Sequence, residues 1–108
     1  MNLVDSDARP RIGEIVCISR GRDAGNYAII VGIEGDRYLL LADGNKRKFD
    51  RPKKKNISHV EFQHAIAPDV VKAMEETNRV SNGKLRFAIQ QFITERAEVS
   101  EKGEISHG

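Results

Sequence analysis

The chain has 108 residues, 39% of them hydrophobic and 31% charged, with a formal net charge of +2. This length bounds one domain with a limited core, and the composition excludes a wholly disordered chain. No apolar run approaches the roughly 20 residues that a membrane-crossing helix needs, so no membrane association is expected.

Residues 1–10 read as a polar lead-in that ends at Pro10. MNLVDSDARPRIG has no basic start followed by an apolar run, so no signal peptide is expected. Glu14 to Arg20 is short and β-branched, which predicts a strand. Its Cys17 is the one cysteine, so no internal disulfide can form, and a cytoplasmic protein is expected. GRDAGN, residues 21–26, predicts a loop. Tyr27 to Ile33 predicts a second strand with Tyr27, Ile29, Val31 and Ile33 on one face and Ala28, Ile30 and Gly32 on the other. Both faces are largely apolar, as in a curled sheet with something packed outside it.

Glu34-Gly35-Asp36 predicts a tight turn, Arg37 to Asp43 a third strand, and Asp43-Gly44-Asn45 a further hairpin. A short fourth strand is expected at Lys46 to Asp50, stopped by Pro52, and a fifth at Ile57 to Val60. Five short strands within about 50 residues point to a small barrel, since closure removes exposed edges. The pattern then becomes helical. Pro68 and Asp69 suit a helix start, with Val70, Val71 and Met74 as its apolar face. Either Ser81 or Asn82 is placed to cap a second helix, in which Leu85, Ala88, Ile89, Phe92 and Ile93 recur at helical spacing. The expected organisation is a barrel over 11–62, a helical extension over 63–98 and a disordered polar tail over 99–108.

Charge is unevenly placed. Residues 1–60 carry 12 Lys/Arg against 8 Asp/Glu, whereas residues 61–108 carry 6 against 8. GNKRKFDRPKKKN alone holds seven basic residues against Asp50. Local fields of this kind decide what a surface attracts.

The first strand, the loop GRDAG and the second strand together resemble the KOW motif, a strand–loop–strand unit of ribosomal proteins and transcription elongation factors. Gly25 stands where the motif has its loop glycine. LLLADGNKRKFDRPKKKNISHV resembles the segment that follows the motif in the KOW large-subunit ribosomal protein of archaea and eukaryotes, and the chain looks most like the small bacterial relatives of that family. The resemblance covers residues 11–60. Asn26 replaces a residue that is often basic in the family, and Ala28 replaces a further glycine. The resemblance implies a mainly β fold, an SH3-like (KOW) barrel of about five strands, here followed by two C-terminal helices. It also implies a non-catalytic RNA-binding protein whose partner is ribosomal RNA of the large subunit or a ribosome-assembly intermediate, with ribosomal proteins as neighbours.

The candidate RNA-binding residues are Arg20, Arg22, Gly25 and Asn26 in and beside the loop, and Lys46, Arg47, Lys48, Arg51, Lys53, Lys54 and Lys55 in the basic segment. A loop glycine lets backbone approach another surface closely. The lysines and arginines could neutralise phosphates and release condensed counterions. Few aromatics lie in the barrel region, so backbone and shape recognition are expected over base reading.

No metal site is expected: His59 and His64 flank Glu61, but no further His or Cys stands at ligand spacing. No phosphate-binding loop, dinucleotide fingerprint or glycine-framed nucleophile occurs, so neither a cofactor nor catalysis is expected. The alternative reading is a protein-interaction module, with the helical stripe recruiting a partner. Neither reading fixes an oligomeric state.

Overall fold

The computed structural model describes residues 9–107, with side chains described to Glu98. The expected lead-in at 1–10 therefore falls almost wholly outside the described residues. Five antiparallel strands come first: β1 (Glu14–Ile18), β2 (Tyr27–Glu34), β3 (Tyr38–Ala42), β4 (Lys53–Asn56) and β5 (Val60–Ile66). Two helices follow, α1 (Pro68–Thr77) and α2 (Asn82–His107). The fold is mainly β, as expected, with five strands before two helices.

The sheet order is β4-β3-β2-β1-β5. The two edge strands are adjacent in sequence, joined only by a 3₁₀ turn at Ile57–His59. Such a turn advances about 2 Å per residue, so the edges must lie close and the sheet must curl. Register shifts help the bend: one falls between Ile30 and Gly32 on β2, another between Glu14 and Val16 on β1.

Curling explains why both faces of β2 are apolar. Inside, Val16, Ile18, Ala28, Ile30, Leu39, Leu41 and Val60 form one buried cluster. Outside, Ile15, Ile29, Val31 and Ala42 pack under the helices, against Ala67, Val70, Val80 and Leu85. Leu85 is fully buried, and Ala88, Ile89 and Phe92 pack on this second cluster. Most of the helical stripe thus covers the sheet, while Ile93 at its end stays 40% exposed.

α1 begins with Pro68 at its first turn and Asp69 beside it, and ends at Asn78, whose left-handed backbone lets its N–H bond the Met74 carbonyl. Ser81, not Asn82, caps α2: its Oγ accepts from Lys84 N–H at 3.1 Å. The backbone of the tail expected to be disordered, 99–108, continues this helix as far as His107, and its side chains lie outside the described residues.

Two expectations are corrected. Residues 46–50 are not a strand but part of a connection, and the fourth strand is the lysine run Lys53–Asn56. Pro52 precedes that strand rather than ending one, which suits proline because a strand's start can do without the N–H. Ile57–His59 is a 3₁₀ turn, held by Asn56 Oδ1 accepting from Ser58 N–H at 2.9 Å, and the fifth strand starts at Val60.

Candidate nucleic-acid interface

The loop between β1 and β2 is closed by short backbone bonds. Gly25 N–H donates to the Ile18 carbonyl at 2.7 Å, and Ile18 N–H donates to the Asn26 carbonyl at 2.9 Å. Gly21 and Gly25 hold positive φ values of 96° and 93°, which an L side chain would strain. Arg20, Arg22, Gly25 and Asn26 are all exposed on this loop.

The connection from β3 to β4 is braced by Asp43. Its Oδ1 accepts from the Asn45 and Arg47 N–H groups at 2.8 and 2.9 Å. The carboxylate oxygen is therefore engaged by backbone donors. The first turn of α2 holds the same connection from outside. Asn82 Oδ1 accepts from Phe49 N–H at 2.8 Å, and Arg86 Nη1 donates to the Gly44 carbonyl at 2.6 Å. A Cβ on Gly44 would lie 2.2 Å from the Asn82 carbonyl oxygen, so this glycine is a docking point for the helix as well as a turn residue.

The pleat of β4 divides the lysines. Lys53 pairs with Leu41 and Lys55 with Leu39, both interior residues, so these two lysines share the inner side of the sheet. Both are half-buried, as is common for lysines whose apolar stems lie along a surface. Lys55 crosses to the hairpin loop, where a Cβ on Gly21 would meet its Nζ at 2.7 Å. Lys53 joins Asp23, Asn26, Lys46 and Arg47 around a small cleft. Residues more than twenty positions apart in sequence therefore meet at one end of the barrel.

Lys54 points the other way. It pairs with Glu34 at 3.1 Å and lies 4.8 Å from the centre of the Tyr38 ring. Arg47 is also paired, with Asp23 at 3.5 Å. Sequence reading counted Asp50 as the sole acid near the basic run, and the fold instead brings in Asp23 and Glu34. Among the described residues, the other seven cationic candidates, Arg20, Arg22, Lys46, Lys48, Arg51, Lys53 and Lys55, have no carboxylate oxygen within 4.0 Å. Lys48 Nζ donates to the Asn45 carbonyl at 3.2 Å, and Arg51 is exposed beside it.

Tyr27 sits with the helix-facing row, half-buried, its ring 5.2 Å from that of Phe92 in an edge-to-face pair. Arg86 and Asn82 were not among the sequence candidates. The only sequence signal was indirect: Arg86 flanks the stripe begun by Leu85, on the side that meets the Gly44 turn. Among the described residues, no group of three or more His, Cys, Asp or Glu is arranged to hold a metal ion.

The chain is 38% identical over 71 residues to a protein of Bacillus subtilis (strain 168) named "Putative ribosome-binding protein YbzG", and the match takes in 66% of this chain and 96% of that one. The chain belongs to that family. No family model matches the chain.

Proposed function

We propose that the protein is a non-catalytic, cytoplasmic ribosome-binding protein that docks on large-subunit ribosomal RNA through a KOW-like barrel end. The docking face comprises the loop carrying Arg20, Arg22, Gly25 and Asn26, together with Lys46, Arg47, Lys48, Arg51, Lys53 and Lys55. The observation that carries the reading is the seating of Lys55 against Gly21, with Lys53, Lys46 and Arg47 gathered beside Asp23 and Asn26. This joins the two sequence features, loop and basic run, into one cationic surface. The naming of the YbzG relative as ribosome-binding supports the same reading.

Its chemistry is electrostatic. Lysines act as point charges toward phosphates, and arginines add bidentate geometry. Engagement of about five phosphates gives log K a slope near −3.5 against log salt for single-stranded RNA. Sedimentation of cell lysate through a gradient tests the proposal. The protein is expected to travel with large subunits at low salt and to leave them at high salt. A protein that stays at the top of the gradient at every salt concentration contradicts it.

A further inference from the structure

We infer that the cleft between the hairpin loop, the Asp43–Lys46 turn and α2 holds one unpaired nucleotide of the bound RNA. This subsite rests on the RNA-binding reading above and extends it onto the helix. The cleft is an open groove of about 480 Å³, and Gly25, Asn26, Lys46, Arg86, Gln90 and Ile93 line it. That volume falls within the roughly 300–1,000 Å³ typical of small-ligand sites.

Three kinds of group converge there, and each matches one part of a nucleotide. Lys46 and Arg86 supply positive charge for a phosphate. One Arg86 nitrogen is engaged by the Gly44 carbonyl, and the remaining guanidinium N–H groups stay available as donors. The amides of Asn26 and Gln90 offer both donors and acceptors, as the edge of a base requires. Ile93, 40% exposed, lies on the same lining as half-buried Ile89 and Tyr27, and gives an apolar floor for the face of a base.

Asp43 also lines the cleft, but its Oδ1 already accepts two backbone N–H groups. The site is continuous with the phosphate-binding surface, since Asn26 and Lys46 also border the smaller cleft that holds Arg47 and Lys53. A base stacked within a duplex cannot present its face and edge to such a cleft, whereas a bulged or looped-out base can.

Two RNA hairpins of equal charge, each closed by a non-nucleotide linker in place of a loop, test this, one with a fully paired stem and one with a single-nucleotide bulge. Binding is measured by fluorescence anisotropy for the full chain, for Gln90→Ala/Ile93→Ser and for Lys53→Gln/Lys55→Gln, each checked for folding by circular dichroism. The parent is expected to prefer the bulged hairpin by about tenfold, equal to about 1.4 kcal/mol. The Gln90→Ala/Ile93→Ser variant is expected to lose that preference and keep its affinity for the paired hairpin. The Lys53→Gln/Lys55→Gln variant is expected to weaken on both hairpins and keep the preference. Equal binding of the two hairpins by the parent, or a preference that survives Gln90→Ala/Ile93→Ser, overturns the subsite alone. Absence of binding to either hairpin at low salt overturns the RNA reading and the subsite with it.

Discussion

The two faces of the curled sheet solve the same burial problem with different material. The inner face is filled by strand residues alone, from Val16 to Val60. The outer face needs the helices, with Val70 and Leu85 completing what Ile15 and Ile29 begin. Charge follows the same division. The inner side ends in Lys53 and Lys55, which lean over the barrel rim toward the hairpin loop, whereas the outer side carries Lys54, paired with Glu34. One strand of four residues thus puts identical side chains into two electrostatic settings, and strand alternation alone sets which is which.

Ile30→Ala empties the inner cluster, where no helix can move in to refill it, and is expected to cost about 2–5 kcal/mol in urea unfolding. Leu85→Ala opens the outer cluster and should fall at the low end of that range, because α2 is a separate element able to settle toward the gap. Equal losses from both would argue that the helices are as rigidly fixed as the strands. Gly44→Ala tests the link between helix and basic connection. Its φ of 80° and the neighbouring Asn82 carbonyl both oppose a side chain, and a loss of about 1–3 kcal/mol is expected by thermal melting.

Much of this architecture was legible in the sequence because it rests on periodicity. The two-faced Tyr27–Ile33 segment announced a sheet covered on both sides, and the Leu85–Phe92 stripe announced its cover. The lysine strand was not legible. Lys53-Lys54-Lys55-Asn56 has no apolar alternation, and it is a strand because β3 supplies the backbone partners. The 3₁₀ turn was hidden for a similar reason, since it depends on the Asn56 side chain rather than on any hydrophobic pattern. At the candidate interface the sequence supplied the cations but not their compensation. Asp23 and Glu34 lie 24 and 20 positions from Arg47 and Lys54, and only the folded chain pairs them. Arg86 and Gln90 were invisible for the complementary reason, because a polar residue beside a buried stripe usually faces only water.

The smallest predicted effects, and the most discriminating, concern β4. The direct measurement is RNA affinity across a salt series for Lys53→Gln/Lys55→Gln beside Lys54→Gln. The double variant should bind about tenfold more weakly at low salt with a shallower salt slope, while Lys54→Gln should change affinity by less than about twofold, because only the former pair faces the hairpin loop. A Lys54→Gln loss as large as that of the double variant, or a double variant indistinguishable from the parent, would contradict the assignment of the barrel rim as the RNA-binding surface.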